Sequence, residues 1–149
     1  MTTVTGKPTD EAQIRALVEN RVKAVHAKDL SAATANIAPK DYVQFGVVNP
    51  LQITGAETMR DRARAWFAAY QGPIGFEIRD LSITAGEDVA FCHYFYHVSG
   101  TMNNGGKVDM WVRATACYRK IDGQWMVAHE HESVPFDGQT GKASLDLKP

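Results

Sequence analysis

Cysteine is scarce in this chain: of 149 residues only Cys92 and Cys117 are of that type, and they stand without C-x-x-C spacing inside segments that read as strands. Both read as buried packing, since the sequence places no basic partner beside either thiol. A chain of this length buries about two thirds of its unfolded surface around one core, so no disulfide staple is needed. No apolar run approaches the roughly 18 residues that a membrane span requires. The opening TTVTGKPTDEAQ is too polar for a secretory signal. An excess of one charge is missing too, because 16 Lys and Arg stand against 17 Asp and Glu for a formal net charge of −1. The basic residues are scattered, which argues against nucleic acid and against an anionic membrane. Internal repeats and low-complexity segments are absent. These lacks describe a reduced, soluble, cytoplasmic protein.

What is present is an orderly series of helix and strand signals. Thr9 followed by Asp10 and Glu11 has the form of an N-cap with an acidic first turn. Ile14, Leu17, Val18, Val22 and Val25 then recur at helical spacing as far as about Lys28. Asp29 or Ser31 can cap a short second helix over 30–37, which Pro39 ends. Segments 41–48 and 51–54 flank the turn dipeptide Asn49-Pro50 and read as a small hairpin. Gly55 leads into a third helix over 56–70 with Met59, Ala63, Trp66, Phe67 and Tyr70 as its stripe, broken by Gly72-Pro73. Strands follow over 74–85, with a bulge suggested at Asp80, and over 89–102. Residues 1–8 are expected to be a flexible lead-in, 9–136 one domain, and 137–149 a polar tail anchored by Leu145 and Leu147.

The rest is organised around KVDMWVRATACYRKIDGQWMVAHEHESVPF. Alternating runs over 108–119 and 124–134 flank Ile121-Asp122-Gly123, a three-residue loop with glycine at the left-handed position, and predict a hairpin. Such a loop pairs Lys120 with Gln124, setting Ala114 opposite Glu130, Val112 opposite Glu132, Arg113 opposite His131 and Thr115 opposite His129. One face then holds Met110, Val112, Ala114, Ala116 and Tyr118 with Met126, Ala128, Glu130, Glu132 and Val134. The other holds Asp109, Trp111, Arg113, Thr115 and Arg119 with Trp125, Val127, His129, His131 and Ser133; a slip of one residue would exchange the faces. Asn103-Asn104-Gly105 fits a second three-residue loop and places Tyr94 opposite Ala114 and Tyr96 opposite Val112, whereas a two-residue Asn104-Gly105 turn would shift this by one. With the longer loop, Tyr94, Ala114 and Glu130 form one row and Tyr96, Val112 and Glu132 the next. His93, Thr115 and His129, and Phe95, Arg113 and His131, form the rows on the opposite face.

Helix, short helix, small hairpin, helix and a long antiparallel meander ending in D-G-x-W together resemble the NTF2-like superfamily. The helix-one stripe, Gly55 before helix three and IDGQWMVAHEHESVPF carry the resemblance, which extends from about Thr9 to Phe136 and is closest to SnoaL-like and ketosteroid-isomerase-like proteins. The Trp-x-Val-x-His-x-His-x-Ser pattern is also similar to the calcium/calmodulin-dependent kinase association domain. The resemblance implies an α+β fold in which a curved antiparallel sheet wraps three helices of the N-terminal half and leaves a pocket on its concave face. It implies that the face with small residues, Glu130 and Glu132 lines that pocket, and that the face with His93, Trp111, Arg113, His129 and His131 is a homodimer interface. The sequence departs from the isomerase pattern where the general base would stand, since Val43-Gln44-Phe45-Gly46 holds no carboxylate. The tyrosine of that family's first helix falls near Arg21 here.

A glutamate desolvated on an apolar concave face has its pKa raised and becomes suited to acid or base chemistry. Glu130, with Tyr94 reaching across the short Ala114, is the first candidate, and Glu132, Tyr96, Val112, Ala114 and Trp66 are candidate binding residues. The alternative is that both glutamates are ion-paired and solvated near the open end of the sheet. His129 and His131 share a strand face in the way metal ligands do, but a compact third ligand does not follow, and interface or structural histidines account for them. No metal or cofactor is expected. The reading is a small-molecule pocket protein, a cofactor-independent isomerase, cyclase or lyase acting on a carbonyl-bearing organic substrate; the alternative is a non-catalytic ligand-binding or oligomerisation module.

Overall fold

Thr9 accepts a hydrogen bond from the Ala12 amide at 3.2 Å and opens α1, Asp10–Ala27, a cap of a kind worth about 1 kcal/mol. This computed structural model describes residues 8–149, so the lead-in expected over 1–8 lies almost wholly outside the described residues. Lys28 ends α1 in the left-handed region, and its ammonium donates to the Tyr70 carbonyl at 3.0 Å. Asp29, the first of the two proposed caps, accepts from the Ala32 amide and starts α2, Leu30–Thr34. This helix stops short of position 37, because Ile37 forms a parallel bridge to Val127 instead. The Val127 amide donates to Asn36 O at 2.6 Å, and its carbonyl accepts from the Ala38 amide at 2.8 Å.

The small hairpin contracts to β1, Val43–Phe45, and β2, Ile53–Thr54. Then come α3, Ala56–Ala68; β3, Tyr70–Ala85; β4, Val89–Met102; β5, Lys107–Ile121; and β6, Gln124–Ser133. Tyr70, expected as the last residue of helix three, instead begins β3 and pairs with Met102. Its ring lies so close over Gly100 that a Cβ there would stand 2.8 Å from it, which is why glycine occupies that position. The bulge expected at Asp80 is present, with a register shift between Arg79 and Ser82 and a φ of 58° at Asp80.

The strands form one curved, unclosed sheet in the order β2-β1-β6-β5-β4-β3. Its pairings are antiparallel except that β1 runs parallel to β6, an addition to the expected meander. Ile14, Val18 and Val25 of α1 and Phe67 of α3 pack against Ile74, Phe76, Tyr94, Val112 and Trp125 of one sheet face.

The β5–β6 register corrects the sequence reading in two steps. Asp122 and Gly123 both have positive φ, 51° and 79°, and Ile121 pairs with Gln124, so the turn has two residues, not three. This primed geometry matches the twist of the strands it joins. The turn moves the pairing by one residue, and a bulge opposite Cys117 and Tyr118 moves it by one more. Ala114 therefore faces Glu132 and Ala116 faces Glu130, while Thr115 faces His131, Cys117 faces His129 and Arg113 faces Ser133. The rows become Tyr94, Ala114, Glu132 and His93, Thr115, His131, since the β4–β5 register is the one expected from the three-residue loop. Two single shifts restore parity, so Glu130 and Glu132 keep the helix-facing side. Between turn and bulge the faces are exchanged: Trp125 and Val127 are buried, and Met126 and Ala128 are only half-buried.

Trp125 is 2% exposed, and its Nε1 donates to Asp10 Oδ1 at 3.0 Å. Trp125→Ala should cost about 3–5 kcal/mol in urea unfolding, as expected for truncating a core aromatic. A loss below about 1 kcal/mol would place this tryptophan on the outer face.

Candidate functional site

Between the helices and the sheet lies a cavity of about 540 Å³. Its walls are mainly apolar: Leu17 and Val18 from α1, Met59, Trp66 and Phe67 from α3, and Tyr70, Val98, Met102 and Met110 from the strands. Trp66 lies edge-on to Tyr70 and to Phe76 with ring centroids 6.1 and 6.3 Å apart, and Phe76 stacks on Tyr96 at 4.8 Å.

Polar groups gather on the sheet side. Glu130 is buried and both its oxygens are occupied. Arg21 of α1 donates to Oε1 at 2.5 Å, while the Tyr42 hydroxyl and the Gln44 amide donate to Oε2 at 3.1 and 3.2 Å. Local folding explains each donor. Arg21 follows Val18 on the inward-turning side of α1, and the parallel β1–β6 pairing sets Gln44 beside Glu130. The Glu130 carboxylate raises the Arg21 pKa well above its ordinary range and outweighs the opposing effect of desolvation. Burial first, and then the negative charge of Glu130, raise the Tyr42 pKa, so its proton stays on the phenol.

Glu132 is held differently. Its Oε2 accepts from the Tyr96 hydroxyl at 3.1 Å, whereas Oε1 has only a longer approach, 3.9 Å, to the Arg21 guanidinium. Desolvation raises its pKa, and the neighbouring Glu130 charge raises it further, against the lowering influence of Arg21. Burial likewise raises the Tyr94 pKa. The Tyr94 hydroxyl borders the cavity with no protein hydrogen-bond partner among the described residues. The site thus offers a neutral phenol and a carboxyl with raised proton affinity on one apolar wall.

Of the residues singled out by sequence, Glu130, Glu132, Tyr94, Tyr96 and Trp66 line this cavity. Val112 and Ala114 do not: they are 0% and 4% exposed and form the floor beneath it. The expected Tyr94–Glu130 partnership gives way to Tyr94 in the row of Glu132, a consequence of the bulge. Sequence reading missed Arg21, Tyr42 and Gln44. Two of them stand where the chain departs from the isomerase pattern, so an arginine and a glutamine at positions expected to carry chemistry were the available signal.

On the outer face, His93, Arg113 and His131 are exposed and Trp111 and His129 half-buried. Trp111 stacks on His97 with centroids 4.9 Å apart and lies under the Arg79 guanidinium, and His97 Nε2 lies 2.6 Å from Asp109. Arg113 Nε donates to Ser133 Oγ at 3.2 Å. His129 Nδ1 donates to Val43 O at 2.7 Å, and Phe45 meets the rings of His129 and His131 edge-on. Among the described residues no three His, Cys, Asp or Glu side chains are placed to share a metal ion, and no helix is long and apolar enough to cross a membrane.

Comparisons with known proteins place this geometry. An NTF2-like protein from Pseudomonas putida KT2440 is 33% identical over 96% of this chain and 100% of its own, with a TM-score of 0.84. A ketosteroid isomerase-like protein from Erwinia carotovora atroseptica SCRI1043 is 21% identical over 85% of this chain and 97% of its own, at a TM-score of 0.70. A protein from Xanthomonas campestris, provisionally named as a calcium/calmodulin dependent protein kinase II association domain, is 20% identical over 99% of this chain and 100% of its own, also at 0.70. These last two share the fold alone. No curated protein sequence matches the chain. The family model of the SnoaL-like domain matches residues 14–137, and with the NTF2-like fold in place the chain belongs to the SnoaL-like family.

Proposed function

We propose that the protein is a cofactor-independent acid/base enzyme that moves a proton on a carbonyl-bearing organic molecule held in the cavity, with Glu132 as the proton carrier and Tyr94 as the donor to the carbonyl oxygen. The observation that carries this reading is the unequal treatment of the two carboxyls. Glu130 is occupied by Arg21, Tyr42 and Gln44 and serves as an anchor, so the role first considered for Glu130 passes to Glu132, which keeps one oxygen for a substrate. A raised pKa brings a carboxylate closer in basicity to the carbon acids beside a carbonyl. Glu132 takes a proton from that carbon, the enolate oxygen is held by the Tyr94 hydroxyl, and the proton returns to another carbon in an isomerisation or leaves with a β-substituent in a lyase reaction. Tyr96 positions Glu132, and Trp66 supplies an apolar wall for the substrate body. The free cysteines fit a reducing cytoplasm.

The α-hydrogens of 2-tetralone, an apolar ketone of a size the cavity admits, should exchange with D2O faster with the protein than in buffer at neutral pD. Glu132→Gln should abolish the acceleration. Unaccelerated exchange with the ketone bound would remove catalysis and leave a binding module. The same substitution has a stability consequence whose sign follows from linkage. Because the folded pKa of Glu132 is raised, the folded state holds more protons than the unfolded one above the unfolded value of about 4.3, and stability falls as pH rises from there until both states are ionised. Melting curves should therefore show Glu132→Gln equal to the parent at about pH 4 and more stable at about pH 8. An equal difference at both would contradict the assignment.

One observation favours assembly as a second role. The outer sheet face exposes Phe91 and Phe45, 47% and 38% accessible, beside Trp111, Arg113, His93, His129 and His131. Aromatic and arginine side chains on one sheet face suit a homodimer contact. Sedimentation at micromolar concentration should give a dimer that Trp111→Ala weakens; a monomer unaffected by the substitution would end this reading.

A further inference from the structure

Arg62 is out of place for a charged residue on α3. With Met59, Ala63, Trp66 and Phe67 it lies on the helix face that lines the cavity, whereas Arg60 and Arg64 point to solvent and Arg64 pairs with Asp61 at 2.8 Å. The Arg62 side chain is half-buried and has no carboxylate within ion-pair distance among the described residues. A half-buried guanidinium at a cavity wall, with its hydrogen-bonding fork not taken up by an ion pair, is suited to receive the anionic group of a ligand.

The cavity's other charged side chains do not supply that anion. Two arginines, Arg21 and Arg62, and two glutamates, Glu130 and Glu132, line it. Arg21 is committed to Glu130 at 2.5 Å. Glu132 feels the charge of Arg62, which favours its ionised form, but makes its ion-pair approach at 3.9 Å to Arg21 and none within 4.0 Å to Arg62. Arg62 is thus the charged side chain of the cavity lining that makes no ion pair within 4.0 Å among the described residues.

We infer that Arg62 is a specificity-determining residue and that the cavity takes an apolar organic carboxylate, whose carboxylate pairs with Arg62 while its hydrocarbon body lies along Trp66, Phe67 and Met110. This rests on the reading of the cavity as a ligand site and adds the charge of the ligand to it. A single planar guanidinium matches a carboxylate in two parallel hydrogen bonds. Arg62 stands on α3, whereas Tyr94 and Glu132 stand on β4 and β6 of the facing sheet, so the anionic group and the reacting carbonyl are separate groups of one molecule.

The test is calorimetric binding of 1-naphthylacetate and of its neutral counterpart 1-naphthylacetamide, two probes alike in shape. The wild-type protein should bind the acid at least about tenfold more tightly than the amide, the difference expected when a charge-assisted pair is gained. Arg62→Gln should bring the two to parity by weakening the acid and leaving the amide unchanged. Equal affinities in the wild-type protein would overturn this inference while leaving the cavity a ligand site. Retention of the full preference in Arg62→Gln would overturn the assignment to Arg62. Binding of neither probe at millimolar concentration would overturn both this inference and the ligand-site reading beneath it. Should Arg62→Gln fail to fold, Arg62→Lys, which keeps the charge and loses the planar fork, should show a reduced preference, and an unreduced one would count against the inference.

Discussion

The ion pair between Arg21 and Glu130 is the contact on which the rest of the site depends. It joins α1 to β6, two elements far apart in sequence, and it does so inside a cavity whose walls are mainly apolar. Glu130 without Arg21 would be an uncompensated buried charge, and removing one partner of such a pair costs about 3–5 kcal/mol. Tyr42 and Gln44 complete the coordination of the carboxylate, which makes the pair a fixed post rather than a mobile contact. Its charge also acts on its neighbour. Glu132, two residues along the same strand face, meets low dielectric and a like charge together, and both raise its proton affinity. Structure and chemistry are therefore linked through one carboxylate that takes no direct part in the proposed reaction.

That arrangement requires an irregular strand. A regular β6 entered from the two-residue turn would carry Glu130 and Glu132 on the outer face, because the turn alone sets the wrong parity for them. The bulge opposite Cys117 and Tyr118 reverses the parity in mid-strand, and beside it the segment after α2 bonds to the other edge of β6, with the Val127 amide donating to Asn36 and its carbonyl accepting from Ala38. The same irregularity brings Trp125 to the core near the turn and the two glutamates to the cavity beyond it. Bulges re-aim side chains in this way where a sheet must serve packing at one end and a site at the other.

The elements were legible in the sequence because their causes are local. Thr9 with an acidic first turn, the apolar spacing from Ile14 to Val25, and Asn103-Asn104-Gly105 each act within a few residues, and α1, β4 and the β4–β5 register follow them. The inward face of Glu130 and Glu132 was also read, although through a loop length that does not occur: two errors of one residue cancelled beyond the bulge. Trp125 and Val127, on the near side of it, show the error uncancelled. A bulge stabilised by a distant segment leaves no trace in strand alternation. For the same reason Arg21, Tyr42 and Gln44 escaped notice, since each is an ordinary helix or strand residue until the tertiary fold sets it beside Glu130.

The proposed chemistry depends on the difference between the two cavity glutamates, and on Glu132 most of all. A pH titration of its side-chain carboxyl by carbon-13 NMR, assigned by loss of the resonance in Glu132→Gln, measures that directly. The midpoint should lie clearly above the ordinary glutamate value of about 4.3 and fall again when Glu130 is replaced by glutamine and its charge removed. A Glu132 resonance that titrates together with the exposed glutamates, unmoved by that replacement, would contradict the proposed chemistry.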